Sequence, residues 1–221
     1  SSKVSLPVTV GNGGTGIAPI VAEVAGALAI PVIAVSVTPF AFEGERRSQV
    51  ARAGLNAITR RVMASIELPN EAYVTDDDDE TLDTVLLRVT SDIEQLYRAT
   101  TLVLGPQGLI GVDLADIRAV TARAQGALAI GHGAGSGPDA LRTAFSAAAN
   151  HRLLGENRLL QARGAFVAVQ LKSGSEPMSK ISELMQAMSL AVNDPATLLI
   201  YGLAVEPDLP SDVRISIMAA L

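Results

Sequence analysis

The spacing of hydrophobic residues at the start of the chain predicts a β-α-β unit. Residues 3–10 are apolar and rich in β-branched side chains, which predicts a strand. Between residues 17 and 30 the apolar positions recur with the period of a helix, and Pro19 falls in the first turn, where proline is tolerated. Residues 31–37 form an almost unbroken apolar run, typical of a central parallel strand that is covered on both faces.

The same periodicities predict alternating helices and strands through the rest of the chain. Helices are predicted at residues 46–64, 81–104, 112–124, 136–150 and 179–192. Strands are predicted at residues 65–68, 127–131, 164–171, 196–203 and 213–220. The helix 81–104 is long enough to join two domains, and the elements after residue 125 suit a mixed sheet packed with helices.

Composition narrows the class of protein. Of the 221 residues, 48% are hydrophobic and only 3% are aromatic, which excludes a disordered chain and predicts a core of Ala, Leu, Val and Ile. No uncharged apolar stretch is long enough for a membrane span, and residues 1–16 lack the pattern of a secretory signal. The absence of cysteine excludes disulfides, and the formal net charge of −6 argues against a nucleic-acid groove. We therefore expect a cytoplasmic α/β protein with no nucleic-acid partner and no membrane insertion.

The first turn of the β-α-β unit is the strongest candidate for chemistry. It reads Gly11-Asn12-Gly13-Gly14-Thr15-Gly16 and leads into a helix, whose free N–H groups can bind an anion. No Gly-Lys-Ser/Thr follows, so the lysine clamp of a Walker loop is absent, and the dinucleotide-binding pattern is also missing. Taken alone, the loop is compatible with phosphate binding or with tight packing.

Five segments, in order along the chain, resemble motifs of the tubulin/FtsZ family. Residues 11–19 resemble its glycine-rich signature loop, and residues 38–47 resemble its Lys-Pro-Phe-x-Phe-Glu-Gly-x-x-Arg segment. Leu68-Pro69-Asn70 resembles its Ile-Pro-Asn, and Ser91-Asp92 resembles its Asn-Asp at the same spacing. Residues 108–118 resemble the synergy loop and the helix after it. We interpret the chain as a divergent member or a fragment of this family.

The resemblance implies a fold and a domain organisation. The fold class is α/β, with a partial Rossmann-like GTP-binding domain joined by a long central helix to an α+β mixed-sheet domain. Residues 1–80 would be a remnant of the nucleotide-binding domain and residues 81–104 the connecting helix. Residues 105–124 would be the synergy loop and its helix, and residues 125–221 the C-terminal activation domain.

The resemblance also implies a nucleotide site for GTP or GDP. The phosphates would contact the backbone of the glycine-rich loop at Gly13, Gly14, Thr15 and Gly16. The ribose and phosphate side would contact Glu43 and Arg47. Guanine would be recognised by the Asn70 amide and the Asp92 carboxylate. Mg²⁺ is expected with the nucleotide, but no residue is assigned as its ligand.

Two carboxylates match the pair that one family member inserts into the nucleotide pocket of its neighbour. They are Asp113 and Asp116, and carboxylates in that position can orient a water for attack on the γ-phosphate. The resemblance therefore implies a GTPase that binds GTP between head-to-tail subunits and polymerises into protofilaments at the division site. Other division proteins are conceivable partners.

Several of these residues also have purely structural interpretations. Glu43 and Arg47 are four residues apart and could form a helix ion pair. Asp113 could be a helix N-cap, with Asp116 as an acid in the first turn. Residues 131–137 look like a second phosphate loop, but we interpret them as a connection from a strand to a helix.

Departures from the family pattern leave alternatives open. Relatives begin with about 90 to 100 further residues, which hold the first strand and another phosphate loop of the Rossmann-like domain. The signature loop is shorter here, the synergy-loop asparagine is Gly111, and Leu87 stands where an aromatic residue would stack on guanine. A non-hydrolysing scaffold or filament modulator is therefore the main alternative, because GTPase activity would need the missing half. An unrelated Rossmann-type enzyme is a weaker alternative.

Overall fold

The chain forms two compact units. A computed structural model describes residues 8–9, 14–105, 108–124, 127–192 and 194–221. The first unit consists of Ser1–Ile93 with Gln125–Leu128, and the second consists of Glu94–Ala124 with Ala129–Leu221. None of the described helices is both long enough and apolar enough to cross a membrane.

The first unit contains the predicted β-α-β arrangement. Its elements are β1 (Val8–Thr9), α1 (Gly14–Ala27), β2 (Ile33–Thr38), α2 (Glu45–Thr59), β3 (Ala64–Pro69) and the start of α3 (Leu82–Leu104). Two short 3₁₀ turns, Ala41–Glu43 and Asn70–Tyr73, follow β2 and β3. Neighbouring strands run parallel in the order β1-β2-β3, and the first residues of β5 (Ala127–Gly135) pair with β3.

Small side chains allow α1 to lie close to its neighbours in the first unit. Ala18 and Ala22 are buried against Ala34 of β2 and Ile58 of α2. The first half of β2, Ile33 to Val35, is buried, as its continuous apolar sequence predicted, and the second half is partly buried. This packing holds the carboxyl ends of β2 and β3 beside α2.

The second unit is a mixed sheet with helices. Its strands are neighbours in the order β5-β8-β6-β7-β4, where β6 (Gly164–Leu171) runs parallel to β7 (Leu198–Val205) and antiparallel to β8 (Val213–Ala220). The helices are α4 (Leu114–Thr121), α5 (Ala140–Ala149), α6 (Gly155–Leu160) and α7 (Met178–Ala191). The sequence did not predict α6 or the three-residue strand β4 (Gly108–Ile110), because both are too short to show a periodicity.

The glycine-rich segment at residues 131–137 is mostly strand, so its interpretation as a strand-to-helix connection was wrong. β5 continues to Gly135, four residues past its predicted end. A Cβ on Gly131, Gly133 or Gly135 would lie 2.1 Å from a backbone carbonyl oxygen of α5. Alternate residues of a strand share one face, so the three glycines form a stripe on which α5 packs. They serve close packing, and the expected turn begins only after them.

This packing predicts a large effect for a single added methyl group. Gly133→Ala should lower the free energy of unfolding by about 1–3 kcal/mol or more, because the Cβ would meet the Ala144 carbonyl oxygen and the Ala148 amide nitrogen. Gly26→Ala is the control: it lies in α1, no described atom is within 4 Å of its added Cβ, and alanine favours helix. Urea unfolding followed by circular dichroism would measure both. Equal stability of the Gly133→Ala variant and the parent would contradict the glycine-stripe assignment.

Candidate functional site

A cavity of about 470 Å³ lies in the first unit, at the carboxyl end of β2. Its walls come from β2 and the segment after it, from α2, and from the start of α3. The residues that contribute polar or charged groups are Ser36, Thr38, Glu43, Arg47 and Asn70. The carboxyl ends of parallel strands are where open α/β sheets bind ligands, and this volume suits a small molecule.

Glu43 and Arg47 face the cavity together. They form an ion pair, as expected for an acid and an arginine four residues apart, and both line the cavity wall. The backbone N–H of Phe40 donates to Glu43 Oε1 at 2.9 Å, which fixes the carboxylate at the start of the 3₁₀ turn. The Arg47 side chain is 46% exposed, so its guanidinium is partly open to solvent. The pair places an acceptor and a cation side by side in the same wall.

Asn70 brings a buried amide to the cavity. It is the first residue of the 3₁₀ turn after β3 and is only 6% exposed. Within the described part of the chain, no donor lies in hydrogen-bond range of its Oδ1. A buried acceptor without a partner costs about 1–3 kcal/mol. Asn70 therefore brings to the cavity wall a side chain with an acceptor that is unpaired within the described residues.

Asp92 is held by a network that the sequence did not predict. The Tyr73 hydroxyl donates to Asp92 Oδ2 at 2.7 Å, and both residues are buried. Arg88 donates to the Tyr73 carbonyl oxygen at 3.0 Å and pairs with Glu80, whose carboxylate also accepts from the Thr75 backbone. Asp92 is not among the residues that line the cavity. Asn70 and Tyr73 share one 3₁₀ turn, so the network ties Asp92 to the turn that carries the cavity amide.

Leu87 lies outside the cavity wall. Its side chain is 69% exposed, and the leucines that do line the cavity from this helix are Leu82 and Leu86. The aromatic surfaces in the described wall are Phe40 and Phe42, whose rings stack with centroids 4.9 Å apart. The sequence identified this Phe-x-Phe segment only through its family resemblance.

The glycine-rich loop is helical at its end. Gly14, Thr15 and Gly16 form the first turn of α1, where a loop was expected, and Gly13 lies outside the described residues. No described atom lies within 4 Å of a Cβ added to Gly16, so packing does not require a glycine there. The first N–H groups of any helix lack partners within the helix and favour an anion. Ala18, in the next turn, lines the cavity.

Asp113 and Asp116 form a capping box at the start of α4, in the second unit. Asp113 Oδ1 accepts from the Asp116 N–H at 2.9 Å, and Asp116 Oδ2 accepts from the Asp113 N–H at 3.0 Å. This is the structural role that the spacing allowed. Each carboxylate uses one oxygen in these bonds, and Asp113 is exposed. Their role toward a nucleotide stays a prediction, as does that of Asp92.

The cavity therefore gathers three of the predicted site residues from two segments of the chain. Glu43 can accept from sugar hydroxyls, Arg47 can pair with phosphate, and Asn70 can bond a base edge. Among the described residues, no group of three or more His, Cys, Asp or Glu side chains could hold a metal ion. The chemistry of the wall suits a ligand that carries hydroxyl, anionic and N–H groups.

Comparison with known proteins points to one group of relatives. The chain is 31% identical over 211 residues to "Cell division protein FtsZ" of Azotobacter vinelandii, which covers 95% of this chain and 52% of that protein. It aligns with a solved FtsZ dimer of M. jannaschii at a TM-score of 0.85 and 25% identity, over 98% of this chain and 62% of that one. No protein-family model matches.

A more distant structure shares the fold. CetZ from Methanosaeta thermophila aligns with a TM-score of 0.74 over 98% of this chain and 59% of its own, at 14% identity. The predicted α/β fold of the tubulin/FtsZ type is therefore confirmed. The chain spans about half the length of the curated relatives it matches.

The network behind Asn70 predicts a loss of stability in acid. Hydrogen bonds from the Thr75 backbone and from Arg88 lower the pKa of Glu80. A carboxylate whose pKa is lowered by folding stabilises the protein above its unfolded pKa, and this contribution is lost as the pH falls through the folded pKa. Glu80→Gln should therefore lower Tm at about pH 6, and the difference from the parent should shrink toward about pH 3.

Thermal unfolding at several pH values would measure this effect, with Asp83→Asn as control. Asp83 is an exposed carboxylate three residues after Glu80, in the first turn of α3, so its substitution should change Tm only slightly. A Tm difference for Glu80→Gln that stays constant from neutral to acid pH would contradict the role assigned to the Glu80 charge.

Proposed function

We propose that this chain, which is homologous to the FtsZ cell-division proteins over 95% of its length, is part of a cytoplasmic GTP-binding filament protein that works in cell division. The observation that carries this proposal is the cavity of the first unit. Glu43 and Arg47 come from the segment after β2, Asn70 comes from the turn after β3, and all three line one cavity at the carboxyl end of a parallel sheet.

The ligand would lie with its polar groups matched to this wall. Arg47 supplies positive charge for the phosphates, and the N–H groups at the start of α1 add to it. Glu43 accepts from the ribose hydroxyls. Asn70 would bond the base edge through its side-chain amide, and Asp92, which is bonded by Tyr73 behind the cavity wall, would hold the turn that carries Asn70. Leu82 and Leu86 provide the apolar side of the wall.

Hydrolysis would need a second copy of the chain. Asp113 and Asp116 of one subunit would enter the nucleotide pocket of the next, where the carboxylate oxygens outside the capping bonds orient the attacking water. Mg²⁺ bound with the nucleotide would neutralise phosphate charge. Because each subunit would supply part of the site, turnover would depend on head-to-tail assembly. The dimer of the M. jannaschii FtsZ structure agrees with self-association.

A filament protein without hydrolysis is the second candidate. Leu87 is exposed and outside the cavity wall, and Gly111 offers no side chain at the synergy loop. Such a protein would keep the self-association surface and lack turnover. The polar groups of Glu43, Arg47 and Asn70 in the cavity wall favour the GTP-binding candidate.

The decisive variant is Asp113→Asn, because asparagine keeps the N-cap acceptor while removing the charge. GTP turnover per chain should rise with protein concentration in the parent and fall about a hundredfold in the variant, while Tm stays the same. The assay measures phosphate release across a dilution series of the 221-residue chain.

Asp139→Asn is the matched control. Asp139 is also an exposed N-cap aspartate of the second unit, at the start of α5, so this change should leave turnover intact. A parent that neither hydrolyses GTP at any concentration nor retains nucleotide through purification would contradict the GTPase proposal and favour the non-hydrolysing filament protein.

A further inference from the structure

The cavity of the first unit has an apolar part that is open to solvent. Phe42, Val50, Leu82 and Leu86 all line it, and these residues are between 40% and 75% exposed. The polar groups described above line the same cavity. Small-molecule sites are typically lined by apolar side chains, with a few polar groups that fix the orientation of the ligand. We call these four residues the open apolar wall.

Phe42 is the flat element of the open apolar wall. Its ring stacks on the ring of Phe40, with an angle of 15° between the two planes. Phe40 is buried, whereas Phe42 is 75% exposed. One face of the Phe42 ring is therefore covered from inside the protein, and no described ring stacks on its other face. The arrangement is a stack of two rings whose outer side is open.

Backbone hydrogen bonds hold the turn that carries Phe42. Phe42 is the middle residue of the 3₁₀ turn Ala41–Glu43. The Phe40 N–H donates to Glu43 Oε1 at 2.9 Å, and the Ala41 N–H donates to the Glu71 carboxylate of the turn after β3. The position of the ring is thus largely set before a ligand binds, which lowers the entropy cost of binding.

A nucleobase is the ligand group that matches this ring. Every nucleobase has a flat π face that stacks on aromatic side chains, and near-parallel rings continue such a stack. An aliphatic group would gain from burial but nothing from the parallel rings. Phe42 also precedes Glu43, which would accept from the ribose hydroxyls. Because the base is bonded directly to the ribose, neighbouring residues would contact neighbouring parts of one nucleoside.

We propose that Phe42 is the residue on which the base of the bound nucleotide stacks. Phe40 supports the ring from inside the protein, and Leu82 and Leu86 add apolar contact in the same cavity. This inference rests on the proposed function and adds to it the residue that binds the face of the base.

The first test uses tryptophan fluorescence, because the chain contains no tryptophan. Phe42→Trp places a single indole at the proposed contact. GTP should quench its emission, since a stacked guanine quenches indole fluorescence, whereas inorganic tripolyphosphate, which has no base, should not. Tyr97→Trp is the matched control at an exposed aromatic position of α3 in the second unit, and its emission should not respond to GTP.

The second test removes the ring and keeps an apolar side chain. Phe42→Leu should weaken GTP binding about tenfold in isothermal titration calorimetry, because leucine offers no π face to the base. The affinity for tripolyphosphate should stay the same. Tyr97→Leu is the matched control and should leave GTP affinity unchanged. Circular dichroism of the variants checks that the fold is kept.

The outcomes separate this inference from the proposed function. If the parent chain binds GTP, but Phe42→Leu binds it equally well or Phe42→Trp is not quenched, stacking on Phe42 is overturned and GTP binding stands. A parent chain that binds no GTP would overturn both. Loss of self-association in Phe42→Leu with unchanged GTP affinity would also overturn the inference, since Phe42 would then belong to a contact between subunits.

Discussion

The pairing of β2 with β3 sets the position of every polar group in the candidate site. The two strands are parallel and in register along their full length, so that Thr38 lies opposite Pro69 where both strands end. The 3₁₀ turns that follow therefore start side by side, and the Ala41 N–H donates to the Glu71 carboxylate across them. A change of register would separate Glu43 from Asn70, since each follows its own strand by a fixed number of residues.

A second constraint comes from the buried polar groups behind the cavity. Tyr73 and Asp92 are both buried, and each satisfies the other through a hydroxyl–carboxylate bond. Arg88 and Glu80 anchor the same 3₁₀ turn from the outside. Because such groups are costly to bury unpaired, the network allows few conformations for the turn that carries Asn70. Asn70 is thus held at the cavity wall by a turn whose other polar groups bond to one another.

The sequence predicted the elements with long regular patterns and missed those set by contacts between distant residues. The β-α-β unit, the long helix α3 and the strands β6 and β8 follow from periodicity and apolar runs. The pairing of Tyr73 with Asp92 has no local signal, because the residues are 19 apart and lie in different elements. The glycines of β5 were misinterpreted since a glycine permits both a turn and a close approach, and only the position of α5 distinguishes them.

Several residues of the candidate site were identified from their resemblance to family motifs. Glu43, Arg47 and Asn70 were identified in this way, and they do share a cavity. Asp92 was identified with them and does not line it. The resemblance identifies residue types at positions along a chain, whereas the cavity wall depends on side-chain directions that one sequence does not contain. Phe42, Leu82 and Leu86 belong to the wall for that reason, without having been predicted as site residues.

The structural and functional interpretations of the same residue are compatible in this protein. A capping box requires an acceptor at the N-cap, which asparagine or serine would supply as well, and the third position usually holds Glu or Gln. Asp113 and Asp116 satisfy the cap with one oxygen each, so stability does not require that both side chains be carboxylates. The helix macrodipole tolerates the two negative charges at this end. Capping therefore explains the positions of the Asp113 and Asp116 side chains. It does not explain why both are negatively charged, and a contact between α4 and another subunit would explain that.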